Sequence, residues 1–349
     1  MTRYQTVPVL LLLAAALNTP VAADDAPMKK LEITGPVRLI GRDVELETLW
    51  TEGGFTEGAA AGPDGNIYFS NFAQPFDSGP ATVMKFSPES GKVTVHCANS
   101  RMANGLMFDR KGRLIACCAS PRGGQRALVE ITPEGEIKTI VGRYKGKQFN
   151  SPNDLVIDSA GRIYFSDPKY VGPEKMLLSS MNVYRHDPDG STHRVTFDIS
   201  KPNGVMLSPD EKTLYVAETD NGTDMAETVT DATPGRMTLN AFDVLKDGSL
   251  SKTKRVLVDF KDQTGIDGMT VDSEGNIYAA VRSAKRFGIV IFSPAGEELG
   301  YIETPLLPTN CCFGRGEELS TLYITAGGGL YRIRLQAKGH HHVLAKAGE

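Results

Sequence analysis

The sequence predicts an all-β fold, a six-bladed β-propeller around a central channel, and three observations support this fold class. A polar tight turn followed by a strand of alternating apolar residues recurs along the chain. Its six copies span residues 62–70, 109–117, 158–166, 208–217, 272–280 and 317–326. Each of the first five copies is followed by a further strand–turn–strand pattern, and no stretch keeps a helical period over three turns. All-β units repeated in this way are typical of propellers, in which each unit forms one blade.

Glycine marks the tight turn of most units. It occurs as Gly65, Gly112, Gly161 and Gly275, and Glu211 replaces it in the fourth unit. Glycine suits a turn residue with positive φ because it has no Cβ. In the first five units, Pro-x-Gly or Asp-Gly then separates the two alternating runs of a hairpin. We expect the strand that follows each tight turn to be the inner strand of its blade.

The sixth unit lacks a complete second hairpin. We predict that the alternating run at residues 44–50 supplies its outer strand, which closes the ring and removes an exposed sheet edge. Two separate β-sandwiches, the alternative, would require a linker near the middle, and the sequence shows none. The expected organisation is an N-terminal extension at 24–43, a single propeller at 44–337 and a C-terminal tail at 338–349, which contains three consecutive histidines.

The first 23 residues resemble a secretory signal peptide. Arg3 gives a positive start, residues 7–17 form an apolar run, and small residues end at Ala23, directly before Asp24. The apolar run is shorter than the roughly 20 residues that span a bilayer. We therefore expect an exported protein, periplasmic or secreted, with no membrane span after cleavage. An uncleaved anchor is the alternative.

Composition excludes two classes of protein. The 349 residues include 38 basic and 42 acidic ones, so the net charge of −4 offers no basic excess for nucleic acid. Six histidines and five cysteines are too few and too scattered for a structural zinc framework. We interpret Cys97 and the adjacent pairs 117–118 and 311–312 as buried small apolar residues. A disulfide between the two pairs is the alternative.

Every unit presents one side-chain oxygen donor at an equivalent position. Counting back eight residues from the turn residue in five units, and reading a similar place in the sixth, gives Glu57, Asn104, Asn153, Asn203, Asp267 and Asn310. The residue after it in the first five units is Gly58, Gly105, Asp154, Gly204 and Gly268. Equivalent positions of a propeller lie on a ring, so these side chains should converge near the channel axis.

Converging oxygen donors need a partner, and a hard cation provides one. Glu57 and Asp267 carry two negative charges that match a divalent ion, and histidine is absent from the six positions. We therefore expect one divalent cation, with Ca²⁺ as the first choice and Mg²⁺, Mn²⁺ or Zn²⁺ as alternatives. Two other interpretations are that the Asn-Gly and Asp-Gly pairs are ordinary turn residues, or that the channel holds only water.

Several segments resemble the senescence-marker-protein, gluconolactonase and luciferin-regenerating-enzyme family, most closely its exported bacterial gluconolactonase-like members. The segments that carry the resemblance are 103–117, 149–170, 201–219, 267–280 and 309–314. The resemblance implies a six-bladed propeller with one divalent cation in the channel, and a carboxylic-ester hydrolase that opens sugar lactones. It implies metal ligation by Glu57, Asn203 and Asp267, and a ligand or substrate contact at Asn153. The sequence departs from the family at Ser151, where some members have an arginine, so the substrate contact of that arginine is not carried over to this chain.

The expected chemistry is attack of water on a small lactone. Asp267 is the predicted general base, and Glu57 mainly holds the ion. Asn153 and Asn203 should hold the metal and orient the substrate. Asn104, from the repeat register, and Tyr170, which we place at the channel mouth, complete the predicted substrate contacts.

Other side chains receive no catalytic role at this stage. No Gly-x-Ser-x-Gly motif occurs, so a serine nucleophile has little support. Five arginines could meet a polar substrate, but each is interpreted individually as a solvated surface charge: Arg101, Arg122, Arg126, Arg282 and Arg286. Two alternative functions stay open, namely hydrolysis of another ester class such as phosphotriesters, and non-catalytic binding of a sugar or protein.

Overall fold

The structure, a computed structural model, describes residues 30–74, 79–222 and 234–343. Nearly all regular structure in these ranges is β, with short 3₁₀-helices at Pro121–Gly123 and Gly316–Glu318. No helix within the described residues has the length and apolarity required to cross a bilayer. The predicted signal peptide lies outside the described residues.

The strands of the first three blades follow one another along the chain. Strands β1 (Ile33–Thr34) and β2 (Glu47–Trp50) precede them. The first blade comprises β3 (Phe55–Ala61), β4 (Ile67–Phe72), β5 (Thr82–Phe86) and β6 (Val93–Cys97). The second comprises β7 (Ala103–Phe108), β8 (Leu114–Cys118), β9 (Ala127–Ile131) and β10 (Ile137–Val141). After a small hairpin, β11 (Arg143–Tyr144) and β12 (Lys147–Gln148), the third comprises β13 (Leu155–Ile157), β14 (Ile163–Asp167), β15 (Asn182–His186) and β16 (Thr192–Arg194).

The remaining blades repeat the same order. The fourth comprises β17 (Pro202–Leu207), β18 (Thr213–Thr219), β19 (Met237–Val244) and β20 (Leu250–Asp259). The fifth comprises β21 (Ile266–Val271), β22 (Ile277–Val281), β23 (Gly288–Phe292) and β24 (Glu298–Glu303). The sixth comprises β25 (Pro308–Phe313), β26 (Thr321–Ala326) and β27 (Gly329–Arg334). Within each sheet, neighbouring strands are antiparallel.

The blades form a closed ring. Each innermost strand contacts the innermost strand of the next blade, and β25 of the sixth blade contacts β3 of the first. Strand β2 pairs with β27, with Glu47 opposite Arg332, and so completes the sixth sheet. The predicted six-bladed propeller and its closing strand within residues 44–50 are therefore confirmed. Strand β1, in the predicted N-terminal extension, adds a fifth strand to the fifth blade by pairing with β24.

One detail of the predicted blade is wrong. The strand after each tight turn, expected to be the innermost, is the second strand of its sheet, as β4 shows in the first blade. The innermost strand is the segment just before that turn, such as β3, Phe55–Ala61. After Phe55 and Thr56, its Glu-Gly-Ala-Ala-Ala sequence has neither the alternation nor the β-branched residues that identify a strand. Pairing with β4 makes it extended.

The apolar core is distributed over the contacts between adjacent blades. One cluster joins Ala60 and Tyr68 of the first blade to Leu106 of the second. The two cysteines 117 and 118 of β8 belong to clusters on opposite sides of the second blade. All five cysteines of the sequence lie among the described residues, are buried and are free, which confirms their interpretation as apolar packing residues and removes the alternative disulfide.

The segment predicted as a tail packs against the blades over its described part, residues 338–343. The backbone of His340 donates to the carbonyl of Val271, at the end of β21. Arg315 donates to the carbonyls of both Ala61 and Val343. Val343 itself is buried in a core cluster with strands of the second and third blades. These contacts lie at the C-terminal ends of the innermost strands. The predicted ligands lie towards the opposite, N-terminal ends.

Candidate active site

The predicted ring residues occupy irregularities of the innermost strands. Pairing between β3 and β4 shifts register after Glu57, between that residue and Ala60. Equivalent shifts occur at 103–106, 202–205, 266–269 and 308–310. A bulge of this kind re-aims a side chain relative to the regular pleat. Most of these Asn-Gly and Asp-Gly pairs therefore lie within strands, and the interpretation as ordinary turn residues is wrong.

The third blade reaches the same geometry by another route. Its innermost strand β13 begins at Leu155, so Asn153 and Asp154 directly precede it. The backbone N–H of Asn153 donates to the carbonyl of Ser166 at 3.0 Å, and the carbonyl of Asp154 accepts from the Ser166 N–H at 2.9 Å. These bonds fix both residues beside β14.

The glycines beside the ring residues allow close approach of neighbouring blades. A Cβ on Gly58 would lie 1.9 Å from the carbonyl oxygen of Asn104, and one on Gly204 would lie 2.4 Å from the carbonyl oxygen of Asp267. Any side chain there would push the next blade away. The ring positions of successive blades are thus in backbone contact, which brings their side chains together.

Two of the predicted ligands are directly bonded. The amide nitrogen Nδ2 of Asn203 donates to Oδ1 of Asp267 at 2.8 Å. The other amide atom, Oδ1 of Asn203, is buried and has no hydrogen-bond partner among the described residues. A buried carbonyl oxygen without a donor is costly unless something else occupies it. Glu57 is buried and accepts a hydrogen bond from the backbone N–H of Gly58 at 3.0 Å.

Carboxyl groups from three blades form one acidic cluster. Burial raises the pKa of Glu57 well above its usual range, and the negative charges of Asp267 and Asp154 raise it further. Burial also raises the pKa of Asp267, although Arg282 and the Asn203 amide favour its ionised form. For Asp154, burial raises the pKa to about 7.

Residues from opposite blades meet in this cluster. Oδ2 of Asp154, in the third blade, accepts a hydrogen bond from the backbone N–H of Val205 in the fourth at 3.2 Å. The amide of Asn310, in the sixth blade, lies near enough to lower the pKa of Asp154 against the effect of burial. The third and sixth blades face each other across the ring, so these side chains extend towards its axis.

Tyr170 lies beside the acidic cluster, three residues beyond the end of β14. Its hydroxyl donates to the carbonyl of Thr219 at 3.0 Å, and the Lys201 ammonium stands 5.1 Å from its ring centroid. Burial raises the pKa of Tyr170, and the charges of Asp267 and Glu57 add to this effect. Its contact with substrate stays a prediction, as do the substrate contacts of Asn104 and Asn153.

Two residues of the site had no assigned function in the sequence. Asp154 occupies the place that glycine takes in other blades, and the repeat register could have identified it as an extra carboxylate. Arg282 was interpreted as a solvated surface charge, but its Nη1 lies 3.0 Å from Oδ2 of Asp267. That interpretation is also wrong for Arg126, which is buried and donates to the carbonyl of Phe149.

The site fits a hard cation better than a soft one. Across the described ranges, no three histidine, cysteine, aspartate or glutamate side chains are arranged to hold a metal ion. The predicted ligand set contains only two carboxylates, Glu57 and Asp267, and its other donors are the amides of Asn153 and Asn203. Carboxylate and amide oxygens are ligands that Ca²⁺ accepts. The unpartnered Oδ1 of Asn203 is the clearest indication that such an ion fits.

Known proteins are similar to this chain in sequence and in fold. The family model for the SMP-30/Gluconolactonase/LRE-like region matches residues 114–328. The gluconolactonase of Zymomonas mobilis is 31% identical over 338 residues, covering 88% of this chain and 84% of the relative. Pentonolactonase XacC of Haloferax volcanii is 28% identical over 249 residues, covering 70% and 74% of the two chains.

A solved structure adds to these similarities. XC5397, a gluconolactonase from Xanthomonas campestris, is 31% identical and superposes with a TM-score of 0.73, covering 89% of this chain and 96% of that one. The family match extends from the second blade to the sixth, and the similarity to the Zymomonas enzyme covers most of the chain. The chain therefore belongs to the SMP-30/gluconolactonase/LRE-like family.

Proposed function

We propose that this protein is a metal-dependent lactonase that hydrolyses sugar lactones, with gluconolactone as the first substrate to test. The observation that carries the proposal is the convergence of Glu57, Asn203 and Asp267, from three blades, on one buried cluster. Membership in a family that contains gluconolactonases supports the reaction class.

The chain's own residues offer a coordination shell of oxygen atoms. Glu57, Asn203 and Asp267 would hold a divalent cation, with Asn153 at the edge of the shell, and the hard donor set favours Ca²⁺. Such an ion supplies Lewis-acid polarisation of the lactone carbonyl.

We propose Asp267 as the general base. Burial raises its pKa, which makes the carboxylate a better proton acceptor than an exposed aspartate. Its two oxygens are oriented by separate donors, Nδ2 of Asn203 at 2.8 Å and Nη1 of Arg282 at 3.0 Å. In the proposed reaction the carboxylate takes a proton from the attacking water. The same proton then passes to the ring oxygen that leaves when the lactone opens.

The surrounding residues orient the substrate. Tyr170 presents an aromatic ring beside the cluster, suited to the C–H face of a sugar, and its hydroxyl is held by Thr219. Asn104 and Asn153 lie at ring positions next to the bound carbonyl in this proposal. Glu57 is buried next to two other carboxylates, and in this proposal it binds the cation and does not contact the substrate.

The decisive variant is Asp267→Asn, which keeps the size of the side chain and removes the base. We expect kcat for gluconolactone to fall by a factor on the order of 10² or more. Asp262→Asn is the matched control, because Asp262 belongs to the same segment and its side chain is 78% exposed. Thermal unfolding of both variants establishes that the fold persists. Turnover retained by the Asp267→Asn protein would remove Asp267 as the base.

Metal removal separates an enzyme from a non-catalytic propeller. Activity should disappear after treatment with EDTA and return on addition of Ca²⁺. A panel of aldonolactones together with a phosphotriester then distinguishes lactone hydrolysis from hydrolysis of another ester class. Activity that survives complete metal removal would contradict the proposed chemistry.

We also propose that the protein is exported, on the basis of the predicted signal peptide. N-terminal sequencing of the mature protein from the periplasm or medium should then begin at Asp24. An intact Met1 in the purified cellular protein would contradict export by cleavage.

A further inference from the structure

Three carboxyl groups, rather than the two expected from the ring, share the buried cluster. Glu57, Asp154 and Asp267 are 4%, 8% and 8% exposed, respectively. Their charges act on one another, since those of Asp267 and Asp154 both disfavour ionisation of Glu57. Buried carboxylates are retained only where a positive group is paired with them.

Arg282 is the basic residue that is paired with this cluster. Its Nη1 lies 3.0 Å from Oδ2 of Asp267. Among the ion pairs of the described residues, it is the only lysine, arginine or histidine with a nitrogen within 4.0 Å of any of these three carboxylates. Its side chain is 22% exposed, so the pair is screened by solvent only in part.

The position of Arg282 is fixed from three directions. Its backbone N–H donates to the carbonyl of Gly265 at 2.9 Å, within the fifth blade. Its Nη1 also donates to the carbonyl of Pro308, at the start of the sixth blade, at 3.2 Å. Its guanidinium carbon stands 5.8 Å from the ring centroid of Phe55 in the first blade. A side chain tied to three blades can hold a carboxylate in one orientation.

We propose that Arg282 is a positioning residue of the active site, which holds Asp267 in its working orientation. This inference rests on the proposed function. Oδ1 of Asp267 is bonded to Asn203 of the fourth blade and Oδ2 to Arg282 of the fifth. Arg282 therefore orients Asp267 but weakens cation binding. Its positive charge repels the cation, and its Nη1 competes with the cation for Oδ2 of Asp267.

The test compares Arg282→Gln, which removes the charge, with Arg282→Lys, which keeps it. Each protein is prepared free of metal and titrated with Ca²⁺ by calorimetry. We expect the Gln variant to bind Ca²⁺ roughly three- to tenfold more tightly than wild type, since one nearby positive charge is gone. We expect the Lys variant to bind Ca²⁺ like wild type. Arg286→Gln is the control, because Arg286 pairs with Glu298 away from the cluster.

Kinetics supply the second readout. In the Gln variant we expect kcat for gluconolactone to fall roughly tenfold or more while KM changes little, because orientation of the base is lost. The Lys variant should recover part of kcat, since a lysine can bond to Asp267 but lacks the rigid, planar guanidinium that fixes the direction of the donor. A merely structural arginine would lower stability without tightening Ca²⁺ binding.

The outcomes separate this inference from the proposed function. If wild type binds Ca²⁺ and hydrolyses the lactone, but the Gln variant shows unchanged or weaker Ca²⁺ binding or an unchanged kcat, only the role of Arg282 is refuted. If wild type binds no divalent cation, both proposals fail. Should the Gln variant not fold, the Lys variant decides. Altered Ca²⁺ affinity with wild-type kcat would refute the role of Arg282, whereas wild-type Ca²⁺ affinity with a lower kcat supports it.

Discussion

Substitution of Gly204 by alanine tests whether contact between the ring segments positions the site. Gly204 follows Asn203 in β17, and a Cβ there would lie 2.4 Å from the carbonyl oxygen of Asp267 and 3.1 Å from Cα of Gly268. The φ of Gly204 is not positive, so alanine adopts this backbone without strain. The cost of the substitution is therefore purely steric, and it falls on the strand that carries Asp267.

The size of the displacement follows from these distances. Cβ atoms essentially never approach another heavy atom closer than 3.0 Å, so β17 and β21 must separate by at least 3.0 − 2.4 = 0.6 Å. Overpacking of this kind costs about 1–3 kcal/mol of the free energy of unfolding. A shift approaching 1 Å in a catalytic group lowers turnover on the order of 10²-fold. We therefore expect Gly204→Ala to fold, with a lower Tm and with most of its activity lost.

Gly65→Ala is the matched control. Gly65 has a φ of 77°, and a Cβ there would meet nothing within 4 Å. Alanine at this turn pays about 1–2 kcal/mol of backbone strain and touches no part of the site. Thermal unfolding and lactone hydrolysis should show that both variants lose comparable stability, whereas only Gly204→Ala loses turnover. The reasoning is refuted if Gly204→Ala keeps wild-type kcat, or if Gly65→Ala loses as much activity.

Three further predictions concern pH, metal and thiols. Burial lowers the pKa of His341 to about 4 and that of His342 to about 3. Below the ordinary histidine pKa near 6.5, these two side chains therefore bind more protons in the unfolded chain than in the folded one. Urea unfolding should show a free energy of unfolding that is full above pH 6.5 and falls towards pH 4, by about 2 kcal/mol per histidine at pH 5. A stability that is flat between pH 7 and 5 would contradict the burial of this segment. Glu57→Gln should weaken Ca²⁺ binding at least tenfold by calorimetry, because one ligand charge is lost; unchanged affinity would remove Glu57 as a ligand. Burial raises the pKa of the Cys117 thiol, so a thiol reagent should label this cysteine only after denaturation, and labelling of the native protein would show that β8 opens.

The repeat and its register could be predicted because both depend on local sequence. A tight turn followed by an alternating strand is recognisable within about ten residues, and six copies define six blades. Once the blades are aligned, the same count from each turn identifies Glu57, Asn203 and Asp267 as neighbours. The closing strand within 44–50 was predictable for the same reason, since an incomplete last blade requires an edge partner.

Only the tertiary structure showed what surrounds those residues. The repeat register marks Asp154 as a carboxylate at a glycine position, but only the structure shows that it shares a cluster with Glu57 and Asp267. Only the structure shows, likewise, that Arg282 pairs with Asp267 within the fifth blade. The described part of the C-terminal segment packs across the C-terminal ends of the innermost strands, and β1 extends the fifth blade. Neither segment has a repeat pattern from which its packing could be predicted. Periodicity in the chain determines which positions of the blades are equivalent. Contacts between segments far apart in sequence determine which charged groups are neighbours, and no local pattern encodes those contacts.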